Sequence, residues 1–311
     1  MLHMFDLVII GGGPAGVAAG VYAARKRLKT VLITESVGGQ SMDSTEIQNW
    51  IGTEKISGLD LAKTFESHLR AYAGEIVTLA IPERATKLEK TASGFKVTTG
   101  KNAYEAKAVL IATGGHRKKL AIPGAESFEN KGLTYCASCD GPLFADQDVA
   151  VVGGGNAGFE TAQQLLAYAK SVTLIHRGSA FDKADAATVE AVKAHPNFTG
   201  LLNTSPTEIK GTPFVSGLVV KNSETGETSE LRVTGIFVEI GMLPNTDFAE
   251  GVVALDAYKR IVVDAKNQRT SLEGIWAAGD VTDELYHQNN IAAGDGVKAL
   301  EDIYFWLKKQ S

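Results

Sequence analysis

Two glycine-rich turns, each set between an apolar strand and a helix, constrain this chain more than anything else in it. The first is Gly11-Gly12-Gly13-Pro14-Ala15-Gly16, entered from the apolar run Asp6–Ile10 and followed by a helical pattern from Val17 to about Lys26. A second strand, Thr30 to Thr34, ends at Glu35, nineteen residues beyond Gly16. Each glycine has a separate task. Gly11 makes the tight turn, Gly13 lets a pyrophosphate reach the backbone, and Gly16 lets helix and strand pack closely, while Glu35 receives a ribose hydroxyl. The pattern returns as strand Asp148–Val152, turn Gly153-Gly154-Gly155-Asn156-Ala157-Gly158, helix Phe159–Ala169 and strand Ser171–Ile175, ending at His176-Arg177 instead of an acid. Two fingerprints about 140 residues apart predict an α/β fold with two Rossmann-like dinucleotide-binding domains.

Between them stands Tyr135-Cys136-Ala137-Ser138-Cys139-Asp140-Gly141, which holds the only two cysteines of 311 residues. Two thiols three positions apart form a small ring that opens and closes readily. Zinc needs four ligands, and no second cysteine pair or suitably spaced histidine completes a site. A loop this short also constrains little of the unfolded chain. A redox-active dithiol is the reading that remains, with no metal expected.

The other segments speak less clearly. Gly38-Gly39-Gln40 reads as a tight turn, near a planar cofactor or in a plain loop. Leu59–Ala73 reads as an amphipathic helix, and Lys96–Thr99 with Ala103–Lys107 as a hairpin. Ala108–Ile111 reads as a separate buried strand running into the small residues Ala112, Thr113 and Gly114, which allow close approach of a ligand or make a turn. His116–Lys119 and Met242–Thr246 mark crossings between domains. Val215–Lys221 and Leu231–Val233 are predicted strands, as is Ile236–Gly241. Near the end, Ala277-Ala278-Gly279-Asp280 closes another strand, and Asn290–Leu307 reads as the last helix.

Composition narrows the class. With 44% hydrophobic residues the chain buries a core large enough for two domains. A net charge of −5 gives no electrostatic case for nucleic acid or an anionic membrane. No apolar run approaches the roughly 18 residues of a spanning helix. The start runs straight into a strand without the marks of a signal peptide, so a reducing cytoplasm is the expected location.

The order of fingerprint, Ala-Thr-Gly strand end, Cys-x-x-Cys-Asp, second fingerprint and Ala-Gly-Asp before a final helix resembles the low-molecular-weight bacterial thioredoxin reductases over essentially the whole chain. Gly38–Gln40, Tyr135–Pro142 and Phe237–Thr246 are at least as similar to the flavoprotein part of alkyl hydroperoxide reductase. The extra amino-terminal thioredoxin-fold domains of that relative have no counterpart in this sequence. The resemblance implies an FAD domain at 1–117 and 246–311, discontinuous, with an NAD(P)H domain carrying the Cys-x-x-Cys inserted at 118–245. It places FAD against Gly11, Gly13, Pro14, Ala15, Gly16, Glu35, Gly39, Gln40, Asn49, Ala112, Thr113, Gly114, Gly279, Asp280, His287 and Gln288. It places the nicotinamide dinucleotide against Gly153, Gly155, Asn156, Ala157, Gly158, His176 and Arg177. Cys136 and Cys139 are then the active disulfide, with Cys139 toward the flavin and Cys136 toward a protein substrate, and Asp140 manages protons.

The implied activity is electron transfer from NAD(P)H through FAD and the disulfide to a thioredoxin-like protein, in a homodimer. A peroxiredoxin system as acceptor and ferredoxin as donor are the enzyme alternatives, and a flavin-bound redox sensor is the non-enzyme one. One departure bears on the donor. NADPH-dependent members of the family carry His-Arg-Arg and a further Arg after the second domain's second strand, where this chain has His176-Arg177-Gly178 and Asp182. A 2′-phosphate carries about two negative charges. Replacing one guanidinium by nothing and another by a carboxylate weakens its site on both counts, which leaves NADPH and NADH both open. His287, where relatives usually have Arg, is a milder change.

Overall fold

The computed structural model describes residues 4–44 and 46–310. They form two compact units, Met1–His116 with Leu243–Ser311, and Arg117–Met242. Both are α/β and Rossmann-like.

The first unit begins with β1 (Phe5–Ile10), α1 (Pro14–Arg25) and β2 (Thr30–Ile33). The run Leu7-Val8-Ile9-Ile10 is fully buried, because its strand is covered on both faces. Leu7 and Ile9 join a core with Leu32, Leu110 and the helices, while Val8 and Ile10 join a second core with Val31, Ile33 and Val109. Pro14 stands at the first turn of α1, where its missing N–H has no helical partner to lose. Gly20 then lets α1 approach α2 (Gly58–Ala73), since a Cβ there would meet Leu69 Cδ1 at 2.8 Å. Ser57 caps α2 by accepting the Asp60 N–H.

The strands β3 (Val77–Ala80), β4 (Ala85–Thr91), β5 (Gly94–Thr99) and β6 (Ala103–Ile111) complete this stretch, and the sheet runs β3-β2-β1-β6-β5-β4. Here the sequence reading needs correction. Ala103–Lys107 and Ala108–Ile111 are one strand, not two. Its first half pairs antiparallel with β5 and its second half parallel with β1. The pattern misled because the first half is only partly buried and the second wholly so.

The chain leaves along β7 (Gly115–Arg117) and builds the second unit from β8 (Leu133–Thr134), α3 (Ala137–Asp140), β9 (Asp148–Val152), α4 (Asn156–Leu165), β10 (Ser171–Ile175), α5 (Ala186–Lys193) and β11 (Phe198–Leu201). Next come β12 (Thr204–Gly211), β13 (Val215–Asn222), β14 (Thr228–Leu231) and β15 (Gly235–Val238). A parallel sheet, β11-β10-β9-β15-β8, carries Phe159, Ala162 and Leu165 of α4 against one face. The antiparallel β12-β13-β14 sheet packs Ile209, Val215 and Leu218 toward the other. Helix α4 starts at Asn156 and ends at Leu165, earlier at both ends than the periodicity suggested, and β14 lies at 228–231 instead of 231–233.

The chain returns along β16 (Met242–Pro244), and β17 (Ile275–Ala277) pairs parallel with β6 through Ile275↔Val109 and Trp276↔Leu110. The last helix, α6 (Asn289–Gln310), packs against α1 so closely that a Cβ on Gly296 would strike the Ala15 carbonyl. Among the described residues, no helix is long and apolar enough to cross a membrane.

Candidate functional site

In the first unit, Gly11 leaves β1 with φ +117°, a conformation that strains any side chain, and a Cβ there would be driven into the Ala112 carbonyl oxygen. Gly16 is equally fixed, since its Cβ would strike the Gly11 carbonyl oxygen. Gly13 is different. A Cβ on it would meet only Gly39 Cα, at 3.9 Å, so the space above it is open.

That space is a cavity of about 580 Å³, within the range of small-molecule and cofactor sites. Gly11, Gly13, Pro14, Ala15, Glu35, Gly39, Gln40, Ala112, Thr113, Gly114, Gly279 and Asp280 all line it. Four segments distant in sequence therefore meet, and side chains hold them together. Gln40 Nε2 donates to Asp280 Oδ2 at 3.2 Å, and Ser41 Oγ donates to Asn289 Oδ1 at 3.0 Å. The turn at Gly38–Gln40 opens a 3-10 helix, with φ of +119° at Gly38 and +59° at Gly39.

Four expected residues lie off the cavity wall. Gly16 is buried in packing. Asn49 Nδ2 donates to Gln288 Oε1 at 3.2 Å, so these two are each other's partners. His287 has a buried Nε2 with no hydrogen-bond partner among the described residues. The sequence reading also missed lining residues, among them Arg84, Asn245 and Phe248. Arg84 Nη1 donates to Glu35 Oε2 at 3.2 Å, with both side chains exposed. Its place follows from the pairing of β3 beside β2, and no local motif announces it. Asn245 is recruited by the return crossing, where its Nδ2 donates to the Thr113 carbonyl at 2.9 Å. A cradle open above Gly13, with an acid at the end of β2, fits a bound dinucleotide.

The second unit repeats the turn. Gly153 has φ +129°, and a Cβ on it would strike the Glu239 carbonyl oxygen, while one on Gly158 would strike that of Gly153. Gly155 meets nothing within 4 Å. Asn156 Oδ1 accepts the Asp185 N–H at 2.7 Å, which ties the loop before α5 to the fingerprint. His176 lies over the turn: a Cβ on Gly154 would meet its ring at 2.6 Å and one on Gly178 its Nε2 at 2.7 Å. Arg177 and Asp182 are exposed. Beneath the turn, the buried Glu239 carboxyl accepts from Arg117 Nη1 at 2.8 Å and from Thr161 Oγ1 at 3.1 Å. Burial pushes its pKa up against those partners.

The dithiol sits in this unit. Cys136 and Cys139 are joined in a disulfide with Cα atoms 5.3 Å apart. Cys136 caps the short helix α3, its Sγ accepting the Cys139 N–H at 3.2 Å. Asp140 follows at once, and its N–H donates to the Cys136 carbonyl at 3.0 Å. Burial pushes the Asp140 carboxyl above the usual carboxylate range, opposed by a hydrogen bond from Thr134 Oγ1. Nearby, Tyr135 donates to Glu129 Oε1 at 3.3 Å, and burial and that carboxylate push its phenol up to about 12. The arrangement offers two sulfurs for electron exchange and a carboxylic acid with a raised pKa to move a proton.

The profile of the family described as "Pyridine nucleotide-disulphide oxidoreductase" matches residues 5–296. Among solved structures, the thioredoxin reductase of Streptococcus pyogenes MGAS5005 is similar at a TM-score of 0.92 and 34% identity, over 99% of this chain and 100% of that one. An alkyl hydroperoxide reductase polypeptide of Pseudomonas putida is 41% identical over 299 residues, 95% of this chain and 56% of the relative. A Bacillus subtilis (strain 168) protein named NADH dehydrogenase is 38% identical over 304 residues, 97% of this chain and 58% of the relative. The chain thus spans little more than half the length of these two curated relatives.

Proposed function

The chain belongs to the pyridine nucleotide-disulphide oxidoreductase family, and from that premise we propose that it is a flavin-dependent reductase of a protein disulfide. The observation that carries the reading is the Cys136–Cys139 disulfide with its buried acid, in a unit that has a dinucleotide fingerprint of its own. In this reading the cavity of the first unit holds FAD. Gly13 admits the pyrophosphate, Glu35 accepts from a ribose hydroxyl, and Asp280 accepts from the chain that joins ring to phosphate. A bound FAD would supply the hydride and two-electron chemistry that links a nicotinamide to a disulfide. Gly153 and Gly155 admit the nicotinamide dinucleotide to the second fingerprint. Cys136 exchanges with the incoming protein disulfide, and Asp140 holds the proton that a thiolate takes up. The balance is one NAD(P)H, one proton and one protein disulfide converted to NAD(P)⁺ and a dithiol.

The acceptor we favour is a thioredoxin-like protein. A peroxiredoxin system is the second reading, supported by the 41% identity to an alkyl hydroperoxide reductase polypeptide. Gly178 and Asp182 favour NADH at least as much as NADPH, because a 2′-phosphate beside Arg177 gains one guanidinium and meets a carboxylate. We further propose a cytoplasmic homodimer, on the resemblance to the thioredoxin reductases.

Stopped-flow absorbance of the flavin tests the whole reading. We expect NADH to bleach the flavin at least as fast as NADPH, a thioredoxin-like disulfide to restore its colour, and dithiothreitol to bleach it through Cys136–Cys139. Bleaching by neither nucleotide would overturn the donor assignment in favour of a protein donor such as ferredoxin. A protein that retains no FAD would overturn the rest.

A further inference from the structure

Thr134 stands two residues before the first cysteine, buried on β8, where Thr134 pairs with Phe237 of β15. Among the described residues its hydroxyl has two partners, both in the redox turn. It donates to Asp140 Oδ2 and accepts the Cys136 N–H at 3.4 Å. The turn is thereby closed into a ring, because Asp140 N–H also donates to the Cys136 carbonyl and Cys139 N–H to the Cys136 sulfur. We propose that Thr134 is the positioning residue of the proton donor: its hydroxyl fixes the Asp140 carboxyl against the cysteine turn and sets the pH range in which that acid works.

The inference rests on the proposed role of Asp140. Opening the S–S bond with two electrons leaves two thiolates, which take up two protons, one of them from Asp140 and the other from solvent. A carboxyl buried without a partner holds its proton too tightly to give it up. Burial and the Thr134 hydroxyl act on Asp140 in opposite directions, and they are the two causes that perturb it. The titratable groups on the elements around it are Tyr135 with Glu129 beside β8, and Tyr168 just after α4. The Tyr168 hydroxyl is buried and would be struck by a Cβ on Gly141. A hydroxyl that also holds the Cys136 N–H cannot swing away without releasing the turn, so orientation and proton affinity are set together.

Thr134→Val keeps the shape and removes the hydroxyl. In the FAD-loaded, oxidised protein, the Asp140 titration is read from the C=O stretch of its protonated carboxyl, with Asp140→Asn as the blank. Loss of a hydrogen bond to a charged group moves that titration to higher pH by about one to two units. The alkaline limb of the turnover profile moves with it, and Thr134→Ser restores both. A titration in Thr134→Val unmoved from wild type would overturn the positioning role and leave Asp140 as the acid. A shift that Thr134→Ser fails to restore would also overturn it, by showing a packing effect. Wild-type turnover in Asp140→Asn would overturn the acid itself, and the proposal with it.

Discussion

The two fingerprints are nearly interchangeable as packing, yet the surroundings they organise differ. Gly11 and Gly16 meet the same kind of carbonyl obstacle as Gly153 and Gly158, and Gly13 and Gly155 are both open above. In the first unit, three further segments fold over the turn and are pinned by Gln40–Asp280 and Ser41–Asn289, so the cavity has walls. In the second, His176, just beyond β10, lies over the turn, and Asn156 ties the turn to the loop before α5. The contrast suits one ligand that stays and one that comes and goes. A cradle walled by several segments would retain its cofactor, whereas a dinucleotide that leaves after each turnover would need an open edge.

The largest effect that sharpens this contrast is on the dithiol. Cys139→Ser should lower disulfide turnover by at least about a thousand-fold while the flavin stays bound and reducible by nicotinamide. Loss of flavin from that variant would break the division of labour between the units, and normal turnover would break the dithiol assignment. Next come the glycines. Gly16→Ala and Gly158→Ala should each destabilise by about 1–3 kcal/mol, measured by denaturant unfolding, since each Cβ meets backbone that cannot move aside. Gly13→Ala and Gly155→Ala should leave stability alone and weaken only flavin or nucleotide binding, respectively. If the two open glycines affect the same ligand, the units do not hold separate sites.

The nucleotide edge predicts a smaller change. Gly178→Arg with Asp182→Arg should raise kcat/KM for NADPH by about ten-fold with little change for NADH. His176 must give slightly, because its Nε2 lies 2.7 Å from a Cβ on Gly178. A wild-type preference for NADPH above about a hundred-fold would remove the argument from Gly178 and Asp182. The smallest effect concerns stability. Asp140 has a folded pKa raised by burial, so the native state binds its proton more tightly than the unfolded chain does. Stability from this group is therefore present below the ordinary carboxylate range near 4 and lost as pH rises through the folded value. Asp140→Asn removes that loss, and its Tm should exceed the wild type's slightly at neutral pH and converge on it in acid.

Much of this was legible because each fingerprint is local: strand, turn and helix lie within about thirty residues, so Leu7–Ile10 and Asp148–Val152 announced themselves. What stayed hidden depends on the sheet order. Arg84 reaches Glu35 only because β3 lies beside β2, and Asn245 reaches Thr113 only because the chain comes back after an excursion of over a hundred residues. Thr134 escaped for another reason. A threonine before an aromatic residue reads as strand, and nothing in its spacing says that its hydroxyl faces the acid six positions on. The strand β6 was divided because half of it borders a hairpin and half a buried parallel sheet.

The split of the first unit also governs how the protein is made. Its sheet needs β17 alongside β6, and α1 is covered by α6, so the first 116 residues emerge from the ribosome without their closing pieces. The second unit is continuous, so all of its strands and helices are present once Met242 has been added. At ordinary elongation speeds, roughly ten to forty seconds pass before the missing strand and helix are synthesised. During that interval the Val109–Ile111 edge and the apolar side of α1 lie bare, a standing invitation to holding chaperones on the nascent chain.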